Sequence, residues 1–218
     1  MSLTTLINSH HSTYADAMAS LVTTPFVWLP LVLMLALLII RGNKSMTDIL
    51  RIFLMLLLCV VASHIAGYAL VGIAYGTEGP AAWALRNGII QTAGARQYGL
   101  YSLLTSNAMS VAVFVSLLIR HRRLTLTLLF WAMLNAWAVV YMGADSVEYE
   151  LLCLSTGAVF GLVVWFLHRF ITRKETVTEG SASLPDSTPT GYPSSYCRLV
   201  VCAAAFLFLL ITFLPVIK

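Results

Sequence analysis

The chain is broken into separate apolar runs, each long enough to demand burial and together too many to share one core facing water. Phe26 to Ile40, Ile49 to about Tyr75, Leu103 to Ile119, Leu124 to Met142, Leu151 to Phe170 and Leu199 to Ile217 are almost free of charge. One helical crossing of a bilayer needs roughly 20 apolar residues, and fewer where the flanks contribute. Only 10% of the 218 residues are charged and 59% are hydrophobic, against roughly a quarter charged in soluble domains. The sequence therefore predicts an all-α, polytopic transmembrane helical bundle of about six spans and excludes an ordinary cytosolic enzyme.

The net charge of +4 sits in short basic blocks at the ends of these runs, which orients spans and needs no nucleic-acid partner. Six crossings place ten basic residues on one face (Arg41, Lys44, Arg51, Arg120, Arg122, Arg123, Arg169, Arg173, Lys174, Arg198) and three on the other (Arg86, Arg96, Lys218). The richer face is predicted to be cytoplasmic, with both termini outside, periplasmic if the membrane is a bacterial inner membrane. Residues 1–25 contain no Lys or Arg, do not read as a cleaved signal, and form an outer-side interfacial segment. Residues 26–174 form a five-span membrane core, 175–197 a flexible cytoplasmic tether, and 198–218 the sixth span. The mixed stretch from Gly76 to Tyr101 reads as an outer loop, because irregular backbone cannot lie unshielded in hydrocarbon. Cys59, Cys153, Cys197 and Cys202 lack metal-ligand spacing and read as small apolar residues.

Several groups are candidates for chemistry. Thr105, Ser106 and Asn107 open the third span, where free helix amides suit an anion such as a phosphate head group; a plain helix cap is the alternative. Arg86 and Arg96 in the outer loop can supply cations, or stand as solvated loop charges. His64, within the second span, is an intramembrane ionisable group and so a functional candidate; it can instead be a neutral imidazole bonded to a neighbouring backbone or to Asn135. Asp145, Glu148 and Glu150 with Glu78 offer oxygens to a divalent cation, or form a solvated acidic connection. His10 and His11 can titrate. Trp28, Trp83, Trp131, Trp137 and Trp165 serve as interface anchors or packing residues. Neither a metal nor a cofactor is expected, and no phosphate-binding Gly-rich loop, metalloprotease or nucleophile-elbow motif is present.

The order of spans, and the strings within them, resemble the type 2 phosphatidic acid phosphatase family in its small bacterial form. Tyr101 to Ala108 is similar to that family's second motif. Ala136 to Gly143, followed by Gly157 and Gly161, resembles the third motif and the helix after it. Asn8, His10, Asp16, Met18, Thr24, Trp28, Leu29 and Pro30 resemble its interfacial segment. The resemblance implies a lipid phosphatase fold, yet the charged catalytic positions are replaced. The family's Lys falls on Gly72, its Arg on Gly79 beside the retained Pro80, and its general-acid His on Asn107. Its phosphate-binding Arg falls on Val139, its nucleophilic His on Asp145, and the orienting Asp on Tyr149. Phosphoryl transfer needs a nucleophile, a proton donor and cations on the equatorial oxygens. The expectation is thus a non-catalytic protein that binds a phospholipid or polyprenyl phosphate, in a pocket formed by Thr105, Ser106, Asn107, Arg86, Arg96 and Asp145. Two other classes compete with it: a divergent but active phosphatase or phosphotransferase using Asp145, Asn107 and a loop Arg, and an interaction subunit packing its glycine-bearing spans against another membrane protein.

Overall fold

A computed structural model describes residues 3–43, 45–75, 79–89, 102–172 and 187–216. The described residues are helical, with no strand among them. In chain order the helices are α1 (Leu3–Asn8), α2 (Thr13–Thr23), α3 (Leu29–Gly42), α4 (Met46–Tyr75), α5 (Gly79–Arg86), α6 (Ser102–Ile119), α7 (Arg122–Tyr141), α8 (Val147–Thr172) and α9 (Ser194–Phe213). Short 3-10 turns precede α3 at Pro25–Trp28 and follow α9 at Leu214–Val216. Five stretches are long and apolar enough to cross a membrane: Pro25–Gly42, Met46–Leu70, Arg122–Tyr141, Val147–Thr172 and Ser194–Phe213. A shorter apolar helix, Leu104–Ile119, lies among them. Large apolar side chains such as Phe26, Leu54, Phe166, Phe206 and Phe213 point outward, which only a lipid solvent tolerates on this scale. The chain is an integral membrane protein.

Two packing units make up the bundle. In one, α6 lies between α4 and α8, and the three helices contact one another. In the other, α9 packs on α3 and α7, while α2 packs on α7. The helix pair α6–α7 joins them, whereas α3 and α4, though consecutive, barely touch. The first unit depends on small residues. A Cβ on Gly157 would run into the Ser106 carbonyl oxygen, and one on Gly161 would sit 2.6 Å from the Ser110 oxygen. These two glycines, four apart on α8, let its backbone rest on α6, the means by which membrane helices gain packing where lipid offers no hydrophobic drive. The second unit is filled with rings instead. Trp28 lies 5.9 Å from both Trp131 and Phe208, and Phe208 lies 5.0 Å from Phe130.

Three expectations change. The interfacial segment is two helices bound to the bundle: Thr4, Asn8, Ala19, Val22 and Thr23 are buried, and Asp16 in the first turn of α2 accepts from Tyr141 Oη at 3.0 Å and pairs with His11 Nδ1 at 2.8 Å. The stretch read as an outer loop contains α5 and the turn after it at 87–89, and the remainder, including Glu78 and Arg96, lies outside the described residues. The tether read as 175–197 gives up its last part, because residues 187–193 form a tight turn and α9 begins at Ser194 rather than at 198. Pro189 and Gly191, the latter at φ 87°, make that turn, and Thr188 N–H donates to the Tyr192 carbonyl at 2.7 Å. The Tyr192 ring lies over Gly42, where a Cβ would collide with it, and its hydroxyl accepts from Asn43 Nδ2 at 3.1 Å. Thr190 Oγ1 donates to the Ile119 carbonyl at 2.8 Å. The turn thus clasps the ends of α3 and α6.

Candidate functional site

Among the described residues of the predicted pocket, Thr105, Ser106 and Asn107 do not share one wall, and Arg96 lies outside the described residues. Thr105 and Asn107 are two residues apart on α6, about 200° around a helix, so they face different neighbours. Asn107 looks toward α4: its Oδ1 accepts from Ser63 Oγ at 2.7 Å, and its Nδ2 lies 3.5 Å from His64 Nδ1. Ser106 Oγ donates to the Ser63 carbonyl at 3.4 Å, and the Ser110 and Ser63 hydroxyls are 3.3 Å apart. His64 therefore pairs with Asn107 and not with Asn135, whose amide donates to the Trp131 carbonyl one turn back at 2.8 Å. With Asn107 donating to Nδ1, the imidazole carries its proton on Nε2. Ser63, Ser106 and Ser110 are fully buried, Asn107 is half-buried, and His64 is exposed on the outer surface of the helices. The cluster is a polar notch opening sideways between α4 and α6. His64 sits eleven residues before Tyr75, roughly 17 Å along the axis from the end of α4.

Thr105 looks toward α8. A Schellman turn ends α7: Gly143, at φ 72°, donates to the Val140 carbonyl at 3.0 Å, and Ala144 donates to Val139 at 3.1 Å. That turn folds Asp145 under the bundle. Ser146 then caps α8, its Oγ accepting from the Tyr149 amide at 3.2 Å, and Thr4 Oγ1 of α1 accepts from the Val147 amide at 3.1 Å. Because α8 starts at Val147 and not at Leu151, Glu148 and Glu150 lie in its first turn. Glu148 is exposed, but Asp145 and Glu150 are each only 2% exposed, so the acidic connection is not a solvated one. Asp145 is close enough to act electrostatically on Glu150, and the fully buried Thr105 hydroxyl faces the Glu150 carboxyl without closing a hydrogen bond. Neither Glu150 oxygen has a hydrogen-bond partner among the described residues.

The remaining candidates scatter. Gly72 is exposed with open space around it, Gly79 begins α5, and Val139 is wholly buried among apolar side chains. Tyr149 spends its hydroxyl on the Gly67 carbonyl of α4 at 3.1 Å. Arg86 ends α5 and is exposed. No group of three His, Cys, Asp or Glu placed to hold a metal occurs among the described residues. Cys59, Cys153 and Cys197 are buried free thiols, and Cys202 is exposed. Trp28 is a packing residue whose Nε1 donates to the Val22 carbonyl at 2.6 Å. At the opposite end of the bundle, burial and the charges of Arg123 and Arg198 hold the His121 imidazole below the ordinary histidine value. Burial pushes the Tyr192 phenol up, partly offset by Asn43.

Sequence reasoning missed the Ser63–Asn107 bond and the face-to-face placement of Thr105 and Glu150, neither of which leaves a signal in the sequence. It also took Gly157 and Gly161 as motif residues, although Gly-x-x-x-Gly in an apolar helix signals close packing by itself. Comparison with protein-family models, with curated proteins and with solved structures finds no match.

Proposed function

We propose that this membrane protein holds a phospholipid or polyprenyl phosphate without turning it over, in a bundle of the type 2 phosphatidic acid phosphatase kind, with both termini on the periplasmic side of a bacterial inner membrane. The observation that carries the reading is the notch of Ser63, His64, Asn107 and Ser110, which is polar, set within the spans and open toward lipid. Ionisable groups at such depth normally face the bundle interior, and a donor turned outward suits a lipid's phosphate or ester oxygens. Lack of turnover follows from the residues at the family's catalytic positions: Val139 is a buried apolar side chain, Asn107 and Tyr149 bond to α4, and Gly72 bears no group at all. The orientation is supported by Arg41, Arg51, Arg120, Arg122, Arg123, Arg169 and Arg198, which all lie near one end of the bundle.

Native mass spectrometry of the purified protein tests the reading. An anionic lipid is expected to stay bound to the wild type and to be lost in His64→Leu and Asn107→Leu, with phosphate release from phosphatidic acid at background throughout. Phosphate release that vanishes in Asp145→Ala would replace this reading with an enzyme, and equal lipid retention by all three proteins would remove the notch from it.

A further inference from the structure

We propose that Glu150, Thr105 and Asp145 form a binding site for a small monovalent cation of sodium size, enclosed where α6, α8 and the α7–α8 turn meet. Glu150 is the central observation. Both its oxygens are buried and without a hydrogen bond among the described residues, and an ionised carboxylate removed from water costs several kcal/mol unless something positive meets it. Thr105 is an independent one. It belongs to another helix, is fully buried, has an Oγ1 without a hydrogen bond among the described residues, and turns that oxygen toward Glu150. Hydroxyls within these helices commonly bond the carbonyl four residues back, as those of Thr23, Thr127 and Ser155 do; that of Thr105 has no hydrogen bond among the described residues.

The donor set consists of carboxylate and hydroxyl oxygens, which favour hard cations. The charge decides which. Glu150 is the carboxyl whose two oxygens both lack a hydrogen bond among the described residues, and one positive charge balances it once it is ionised. A calcium ion would need six to eight oxygens, more than three side chains supply in a closed space. Glu148, exposed on the outer side of the same turn, takes no part. A bound ion would tie the start of α8 to α6 at the point where the Thr4 bond to Val147 and the Ser146 cap already fix that turn. The site is separate from the lipid notch, since Thr105 and Asn107 leave α6 on nearly opposite sides.

Thermal unfolding of the full chain in detergent is the test, run in sodium, potassium and N-methylglucamine chloride at equal ionic strength and fixed pH. Sodium is expected to raise the wild-type midpoint by roughly 4 °C over N-methylglucamine, and Glu150→Gln and Thr105→Val to lose the rise. Glu148→Gln is expected to keep it. Equal midpoints in the three salts for the wild type would overturn the proposal, as would a sodium rise undiminished in both Glu150→Gln and Thr105→Val. Should Glu150→Gln fail to fold, Thr105→Val, which removes one oxygen and no charge, decides the matter alone.

Discussion

The unit of α4, α6 and α8 and the unit of α3, α7 and α9 solve the same packing problem with opposite materials. The first uses backbone contact at Gly157 and Gly161 and hydroxyl and amide bonds between spans. The second uses ring against ring, with Trp28 at its centre. Ring packing is forgiving of register because large surfaces can slide and refit, whereas a glycine contact and a 2.7 Å bond hold at one register only. His64, Thr105, Ser106, Asn107, Tyr149 and Glu150 fall in the first unit and Asp145 in the turn beside it, whereas Asn135 and Val139 lie in the second. A site needs fixed geometry, and the glycine-packed unit is the one that supplies it.

Substitutions separate the two materials. Trp28→Ala empties the centre of the ring unit and should cost about 3 to 5 kcal/mol in detergent unfolding, while lipid binding by the surviving folded fraction stays normal. Gly157→Ala forces α8 off the Ser106 carbonyl and should cost about 1 to 3 kcal/mol and also abolish lipid retention. Gly72→Ala, with open space around it, should cost nothing and gain up to about 1 kcal/mol. If Gly157→Ala and Trp28→Ala affect lipid retention equally, the distinction between the units collapses. Tyr149→Phe removes the bond to Gly67 and should cost about 1 kcal/mol with the rings untouched. Asn135→Leu should be neutral or slightly stabilising, since Asn135 Oδ1 is buried without a partner and replacing an unsatisfied polar group by an apolar one removes a penalty; a marked loss of lipid retention would move a functional group into the ring unit.

The smallest effect expected is one of pH. His121 caps α7, its Nδ1 accepting from the Leu124 amide at 3.3 Å. Its folded-state affinity for protons is lowered, so the unfolded chain binds the proton more readily. Stability is then unaffected above about pH 6.5 and falls as pH drops through that value toward the folded pKa, by less than about 1 kcal/mol for a lost cap. His121→Ser keeps an acceptor that does not titrate, and should flatten this part of the pH profile.

The long apolar helices were legible because hydropathy is additive along the chain: Met46–Tyr75, Ser102–Ile119 and Arg122–Tyr141 each agree with the expected run to within a few residues at the ends, although Ser102–Ile119 is not among the five stretches long and apolar enough to cross a membrane. The site was not, because it depends on rotation and on where helices begin. Thr105, Ser106 and Asn107 are consecutive in sequence and were read as one pocket wall, but a helix turns about 100° per residue and splits them between two neighbours. Glu150 was read as part of a polar connection because charge is a poor guide to burial at a span's end; the turn at Gly143 and the cap at Ser146 start α8 early and carry Glu150 inside. The pairing of His64 with Asn107 depends on the sliding register of α4 against α6, which no local pattern encodes. The clasp at 187–193 was hidden by a composition of Thr, Pro, Gly and Tyr that serves tight turns and loose linkers alike.

That clasp changes what the peptide chain itself has to do. Because Tyr192 lies over Gly42 and Thr190 bonds to Ile119, the final span is fastened to the rest by contacts at its own start and along its length. Two separately made pieces, one ending after Thr172 and the other starting before Ser187, would each carry one half of these contacts, so that the clasp would serve as a recognition surface between them in the bilayer.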